Sequence, residues 1–241
     1  MTALLLALAL GGCESSQEKS AQIERQVRLA RAAGHGVRSE HGLRISGAST
    51  DVRVVASEVL HDSEGTAAVV TLRNRSTRAL RNVPIAISVR DAAGGVLYQN
   101  NSPGLEAALT TVALLPAGAE FTWIDDQVQA SGAGGVPRTV RALVGGASPA
   151  PASTPRIRVT GVHATAEGGG FGVGGTVTDD SSVAQRGLVV YGIARRGGRI
   201  VAAGRAVLSE VPAHGSSPFQ VLFIGSAQGA QVEASAPPST F

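Results

Sequence analysis

The sequence predicts an all-β fold with two tandem β-sandwich domains. Three observations support this prediction: many valines and glycines with few aromatic residues, short runs in which apolar and polar residues alternate, and a pattern that occurs twice along the chain. The 241 residues are 43% hydrophobic, 16% charged and only 3% aromatic, and 31 of them are glycine. Such a composition is typical of strands with small apolar cores joined by tight turns.

The duplication is visible in short matching segments. VRV at 52–54 returns as IRV at 157–159, about 105 positions later. VTLRNRST at 70–77 then matches GTVTDDSS at 175–182, and in both a strand-like run ends in a polar turn. Asn, Asp and Ser favour such turns because their side chains bond nearby backbone amides. The second half of the chain is therefore predicted to repeat the strands of the first.

Each copy continues with an alternating strand, a glycine turn and a second apolar pair, which is the pattern of a β-hairpin. Proline and glycine then mark a turn before a last alternating strand. The residues that carry these features are Ile85, Ile87, Val89, Gly94, Gly95 and 115–123 in the first copy, and Val189, Tyr191, Ile193, Gly197, Gly198 and 211–223 in the second.

The N-terminus carries an apolar run, ALLLALAL at 3–10, close to the only cysteine. The run is too short to span a bilayer, which takes about 20 apolar residues, but it has the length of a signal-peptide core. The following residues resemble the bacterial lipobox, with Leu10, Gly11, Gly12 and Cys13 in the matching positions. The resemblance implies that Cys13 is lipidated and becomes the mature N-terminus. Because two acyl chains anchor a protein stably, we predict attachment to a membrane through lipid on Cys13.

Two features of this region leave alternatives open. Only Met1 and Thr2 precede the apolar run, so the usual charged region is missing and we expect the true start codon to lie upstream. The alternative is a cytosolic protein with an incidental cysteine. Residues 18–33 show modest helical periodicity with arginines beside an apolar side, which fits either a helix on anionic headgroups or a solvated spacer.

Changes in composition divide the chain. The linker is rich in proline and small residues, which favours independent domains over a tight cleft. Two copies of roughly 85–95 residues have the size of immunoglobulin-like β-sandwiches. The predicted parts are a lipoprotein signal peptide at 1–12, a lipidated N-terminus and partly helical tether at 13–50, a first β-sandwich at 51–144, a linker at 145–155, a second β-sandwich at 156–233 and a flexible tail at 234–241.

The order of strands and turns resembles the FxLYD family of bacterial envelope proteins over most of 52–145 and 157–225. The resemblance implies an extracytoplasmic β-sandwich, usually in a lipoprotein or membrane-anchored protein, with no catalytic residues to carry over. The Phe, Leu, Tyr and Asp positions of the family's motif correspond to Ile87, Val89, Arg90 and Asp91 in the first copy and to Tyr191, Ile193, Ala194 and Arg195 in the second.

Charge and motif patterns do not predict a reaction. The formal charge is +3, but the arginines are spread along the chain without stacking aromatics, so we predict no nucleic-acid partner. Gly170, Gly172 and Gly175 satisfy G-x-G-x-x-G, yet they precede a strand-like run, so we interpret them as a glycine-rich strand. Five histidines lack metal-ligand spacing, namely His35, His41, His61, His163 and His214.

Two pairs of adjacent carboxylates, Asp125-Asp126 and Asp179-Asp180, are interpreted as turn residues. Neighbours in a strand point to opposite faces, so neither pair is expected to share a metal. Trp123, the only tryptophan, alternates with Phe121 and is predicted to anchor the core. We accordingly predict no catalytic residue, no cofactor and no metal.

The sequence thus favours a non-catalytic, membrane-anchored lipoprotein of the cell envelope, in the periplasm or on the cell surface. Its sandwich domains are expected to bind a protein partner in the envelope or to act as a spacer. One alternative is a solute-binding protein with its site between the domains. The other is an envelope enzyme whose site assembles from scattered residues such as Asp91, His61 and Asp125.

Overall fold

The prediction of an all-β fold is confirmed by the computed structural model, which describes residues 15, 17–22, 24–25, 42–130, 135–167 and 170–241. A short 3-10 helix covers Ala107–Leu109. The strands of this part of the chain are β1 (Val52–Asp62), β2 (Gly65–Asn74), β3 (Leu80–Arg90), β4 (Val96–Gln99), β5 (Thr111–Leu115), β6 (Glu120–Asp125), β7 (Thr139–Val144), β8 (Ser148–Pro149), β9 (Ile157–Glu167), β10 (Gly170–Asp179), β11 (Gln185–Arg196), β12 (Arg199–Val211), β13 (Ser216–Leu222), β14 (Ile224–Gly225) and β15 (Gln231–Ser235).

The strands form antiparallel sheets, and within the described residues every pairing joins strands of the same half of the chain. In the first half, one sheet has the order β1-β2-β6, and β3 pairs with β4, β5, β7 and β8 in the facing sheet. In the second half, β13-β10-β9 faces β14-β12-β11-β15. We call strands β1 to β8 the first half and β9 to β15 the second half.

The predicted repeat is confirmed by the positions of the strands. β1 and β9, β2 and β10, and β3 and β11 each begin 105 residues apart, at 52 and 157, 65 and 170, and 80 and 185. The halves diverge after their third strand. Residues 96–115 of the first half contain two strands separated by a loop, whereas the corresponding part of the second half is the single long strand β12. Buried Asn100 organises that loop by donating to the carbonyls of Ile85 and Leu109 and accepting from the amide of Ile87.

The predicted hairpins are present. Gly197 and Gly198 link β11 to β12 with φ angles of 57° and 80°, which only glycine adopts readily, and this is the turn that matches the twist of paired strands. β3 and β4 are joined by a turn in which the amide of Gly95 donates to the Asp91 carboxylate at 2.7 Å.

Alternation along the strands accounts for the cores. Ile85, Ile87 and Val89 are all buried, as the period-two pattern predicts. Trp123 is fully buried and its indole N–H donates to the carbonyl of Ala108 at 2.9 Å, so the prediction of a core anchor is confirmed. The second half has its own core around Val173, as both inner sheet faces require.

The expectation that the two halves are independent is wrong. The core of the first half continues onto the β11-β12 sheet of the second half, so the halves share one apolar interface. Part of the predicted linker is also ordered: Ser148–Pro149 pairs with β3, and the amide of Ala150 donates to the carbonyl of Ala79. The second-half residues in the shared core are Tyr191, Ile193, Ile200, Ala203 and Ile224.

The C-terminal segment after β15 is bonded to Gln185 and to the backbone of Arg186. The Gln185 side-chain oxygen accepts from the amides of Ser239 and Thr240, at 2.9 and 3.1 Å. Pro238 is buried. These bonds fix the segment that composition alone predicts to be a flexible tail.

The N-terminal segment is partly helical, at residues 17–22 and 24–25, and we call this the N-terminal helix. It begins with a reciprocal cap: Ser15 N–H donates to the Glu18 carboxylate at 2.9 Å and Glu18 N–H donates to the Ser15 hydroxyl at 3.2 Å. The predicted signal peptide and Cys13 lie outside the described residues. Of the helices the structure describes, none is long and apolar enough to cross a membrane.

Candidate functional site

A buried charge cluster lies where the N-terminal helix and the two halves meet. The Arg205 side chain of β12 donates from Nε to Asp126 Oδ1 at 3.0 Å and from Nη2 to Glu24 Oε2 at 2.7 Å. Its backbone N–H also donates to Asp126 Oδ2 at 3.0 Å. All three residues are at most 2% exposed. One guanidinium therefore joins three segments that are far apart in the sequence.

Local structure explains how each member reaches the cluster. Ser20 and Glu24 are four residues apart and share one face of the N-terminal helix. The Ser20 hydroxyl lies 3.2 Å from Asp126 Oδ2 and 3.3 Å from the carbonyl oxygen of Arg205. Asp126 directly follows β6 and so leaves the sheet at the edge that faces β12. The N-terminal helix and Asp126 together cover the backbone of β12 at Arg205.

The neighbouring carboxylate points elsewhere. Asp125 accepts from the Tyr98 hydroxyl at 2.8 Å and from the amide of Gln127 at 2.9 Å. The prediction that Asp125 and Asp126 point in different directions is confirmed. The bond from the Gln127 amide is the one that a turn-forming aspartate accepts, so the turn prediction fits Asp125, whereas Asp126 bonds Arg205 instead. The second pair is less buried. Asp179 forms a turn with Ser181, and exposed Asp180 pairs with Arg158 at 2.6 Å.

Burial perturbs the titration of this cluster. Desolvation raises the pKa of Glu24 to about 8, although the Arg205 charge opposes the rise. Desolvation likewise raises the pKa of Asp125 to about 6 and raises the pKa of Tyr98. Burial lowers the pKa of Arg205, but the nearby carboxylates of Glu24, Asp126 and Asp125 outweigh it and raise that pKa overall. Desolvation is the largest cause for both carboxyl groups, and the smaller effect of the Asp126 charge raises their pKa further.

The cluster is shielded from solvent and incompletely paired. Within the part of the chain that the structure describes, Glu24 Oε1 and Arg205 Nη1 are buried without a hydrogen-bond partner. A partner missing from a buried polar atom costs stability, so these two atoms reduce the net stabilisation that the network provides. Its chemistry is charge pairing that holds the chain together.

A second buried polar position appears when the halves are compared. In the first half, Asn74 Oδ1 accepts from the Ser76 amide and hydroxyl, and Nδ2 donates to the carbonyls of Arg78, Leu115 and Pro116. In the second half, Asp179 Oδ1 accepts the same pair of bonds from Ser181. Its Oδ2 is buried and has no hydrogen-bond partner among the described residues. The repeat thus preserves the turn but replaces the donating amide with an oxygen.

The residues proposed for a scattered enzyme site are not brought together. His61 contacts the Thr66 hydroxyl at 2.8 Å, Asp91 holds the β3–β4 turn, and Asp125 binds Tyr98. Cys13, His35 and His41 lie outside the described residues. Among the residues that are described, no group of three or more His, Cys, Asp or Glu side chains is placed to hold a metal ion.

The glycine-rich motif lies in β10, so its interpretation as a strand is confirmed. β10 is the central strand between β9 and β13. A Cβ atom at Gly172 would overlap the carbonyl oxygen of Val221, and one at Gly175 would lie 2.8 Å from the ring of Phe219. Close packing against β13 explains these glycines.

A small groove of about 230 Å³ remains between the halves. Phe121 and Tyr191 meet edge to face beside it, with ring centroids 5.1 Å apart. Arg195 and Glu233 form an ion pair at 3.4 Å along its wall. This volume is below the range of about 300–1,000 Å³ that is typical of small-molecule sites. A second groove between the halves, lined by Pro116, Ile157 and Ala236 among others, has about 640 Å³ and lies within that range.

Sequence reasoning missed Glu24 and Arg205. Arg205 had one available signal, since it stands alone in the apolar strand IVAAGRAVL, where an unpaired charge is too costly to bury. For Glu24, the spacing Ser15-x-x-Glu18 indicates where the N-terminal helix begins. Neither signal identifies the partner, because the bonded residues are 181 positions apart.

No family model matches the chain, and no curated protein matches it. Among solved structures, the chain is similar to red sea bream transglutaminase at 13% identity with a TM-score of 0.21. The alignment covers 88% of this chain and 31% of that chain. A likeness at this TM-score carries no argument about function.

Proposed function

We propose that the chain is a non-catalytic, lipid-anchored protein of the bacterial cell envelope, in which the two halves act as one rigid protein-interaction or spacer element. The observation that supports this most is Arg205, whose buried bonds to Asp126 and Glu24 join the two halves and the N-terminal helix. A module fixed in this way presents its surfaces in a constant geometry, as a spacer or docking platform requires.

The anchor is supported by the order of the N-terminal features. The lipobox-like residues 10–13 follow an apolar run of signal-peptide length. A helix that packs into the fold follows almost at once. A diacyl anchor at Cys13 holds this arrangement on a membrane stably, since two chains suffice for anchoring.

Strand β9 is the edge that best suits a polypeptide partner. It is eleven residues long and pairs only with β10 among the described strands. Arg158, Thr160 and His163 along it are exposed. A long edge strand accepts an added strand through backbone hydrogen bonds, with modest demands on the partner's sequence.

Metabolic labelling with an alkyne analogue of palmitate tests the anchor. We expect label and membrane fractionation for the parent chain and for a Thr77→Ala control, and loss of both in Cys13→Ala. Label that persists in Cys13→Ala would contradict the proposed anchor, as would a parent chain found in the soluble fraction.

Photocrosslinking in cells tests the interaction surface. A photoreactive amino acid at Thr160 on β9 is expected to give a discrete adduct, whereas the same amino acid at exposed Thr77 is not. Adducts of equal yield at both positions, or none at Thr160, would contradict binding at β9.

A further inference from the structure

Gln17, four residues after Cys13 in the sequence, is bonded to one end of the first half. Gln17 is bonded through its backbone and both ends of its side-chain amide: its N–H donates to the Glu64 carbonyl at 3.1 Å, Oε1 accepts from the Thr66 amide at 3.1 Å, and Nε2 donates to the Val128 carbonyl at 3.0 Å. These partners belong to the β1–β2 turn and to the segment at 127–130. Gln17 therefore fixes the start of the N-terminal helix to that end of the first half.

The helix is also held at its other end. At that far end, Glu24 forms an ion pair with Arg205 in the buried cluster. Ser15 and Glu18 cap the first turn. Because both ends are attached, residues 15–25 do not act as a free spacer. The maximum distance between a lipid on Cys13 and the folded part of the chain is then set by the length of chain from Cys13 to Ser15.

The length of an extended chain limits this distance to a few ångströms. Two residues span at most about 7 Å when fully extended. One headgroup layer is about 5–8 Å thick. If all 38 residues of 13–50 were a flexible tether, the root-mean-square separation would be about 31–37 Å. The distance between the lipid and the folded chain therefore differs between a two-residue connection and a 38-residue flexible tether by more than the thickness of a headgroup layer.

We propose that the end of the first half formed by the β1–β2 turn and residues 127–130 lies against the lipid headgroups of the membrane that holds Cys13. The inference rests on the lipid anchor proposed above. His61 and Ser63 are exposed at this end, and the nearby Asp62 carboxylate is turned inward to the Gly225 amide at 2.7 Å. The occupant of this surface is a phospholipid bilayer.

The opposite end of β2 provides a matched reference. β2 runs ten residues from Gly65 to Asn74, so the turn after Asn74 is about 30 Å from the β1–β2 turn. Thr77 in that distant turn is exposed, like Ser63 in the near one. The two positions report on opposite ends of the same hairpin.

The experiment uses the full acylated protein in vesicles of phosphatidylethanolamine and phosphatidylglycerol that contain a gadolinium-chelating lipid. Ser63→Cys and Thr77→Cys variants carry a fluorine label, since acylation protects Cys13 from the reagent. We expect relaxation by the headgroup-bound gadolinium to be many-fold stronger at position 63 than at position 77. Equal relaxation at the two positions, or stronger relaxation at 77, overturns the proposal.

Two controls separate this inference from the anchor. Mass spectrometry of the same sample measures acylation: an unacylated Cys13 refutes both proposals, whereas acylation with equal relaxation refutes only the membrane-facing surface. A Ser15→Ala/Gln17→Ala variant frees the first turn and is expected to lower relaxation at 63 while acylation persists. Unchanged relaxation in that variant would also count against the proposal.

Discussion

Asp179 has a carboxylate oxygen where its repeat equivalent, Asn74, has an amide nitrogen, and that buried oxygen has no partner in the described part of the chain. Asn74 Nδ2 donates to three carbonyls at the corresponding position. Asp179→Asn should therefore restore donors and raise the free energy of unfolding by about 1–3 kcal/mol. Urea unfolding measures the change.

The reverse substitution is the natural control for Asp179→Asn. Asn74→Asp removes the donors and should lower the free energy of unfolding by about 1–3 kcal/mol or more. If Asp179→Asn lowered the free energy of unfolding, the buried Asp179 oxygen would not be destabilising. The inference from the Asn74 turn to the Asp179 turn would then be wrong.

Glu24 makes stability depend on pH. Its folded pKa of about 8 lies above the ordinary value of 4.5, so the folded state holds a proton that the unfolded state releases. Stability that is complete below pH 4.5 is thus lost as pH rises through 8. Asp125 acts in the same direction between 3.8 and about 6. The charged groups that act on Glu24 are Arg205, Asp126 and Glu106.

We expect the free energy of unfolding to fall between about pH 4.5 and 8, by at most about 1.4 kcal/mol per pH unit for the Glu24 proton. Glu24→Gln should flatten this dependence, whereas Glu120→Gln on the surface should not. Urea titrations at several pH values measure the slopes. A slope that Glu24→Gln leaves unchanged would show that Glu24 is not the titrating group.

Among the strands, β11 and β12 approach the facing sheet closely at two glycines. Gly192 and Gly204 are paired across the hairpin. A Cβ atom at Gly204 would overlap the carbonyl oxygen of Leu222, and one at Gly192 would lie 2.6 Å from the Val173 side chain. Glycine at both positions lets the two sheets of the second half pack together.

Gly204→Ala should lower the free energy of unfolding by about 1–3 kcal/mol, because the added methyl group meets backbone that cannot move away. Gly47→Ala is the matched control, since a Cβ atom there has no neighbour within 4 Å in the described residues. Thermal or urea unfolding compares the two. Equal stability of the two variants would mean that the sheets are not in close contact at Gly204.

The strands were predictable because their signals are local. Alternation at Ile85, Ile87 and Val89 requires only neighbouring residues, and the repeat supplied the same pattern twice. The long pairings were not predictable in this way. Arg205 binds residues 79 and 181 positions away, and no local pattern states such a partner. The proline and small residues of the linker favoured independent domains, so the sequence did not predict that the halves pack together.

For the molecule as a whole, we expect substitution of Arg205 to lower the free energy of unfolding more than any other substitution considered above. Arg205→Ala leaves Glu24 and Asp126 buried without their cation, which should cost about 3–5 kcal/mol. Arg186→Ala is the control, because its ion pair with Glu210 is exposed and 3.9 Å long. Chemical unfolding measures both. If the two substitutions lowered the free energy of unfolding equally, the buried ion pairs of Arg205 would not be what holds the three segments together.

The central claim is that the two halves form one rigid body. Spin labels at exposed Thr77→Cys and Ser182→Cys, in a Cys13→Ala background, place one probe on each half at equivalent turns. Double electron–electron resonance should give a single narrow distance distribution. A broad distribution, as expected for two bodies joined by a flexible linker, would contradict the account.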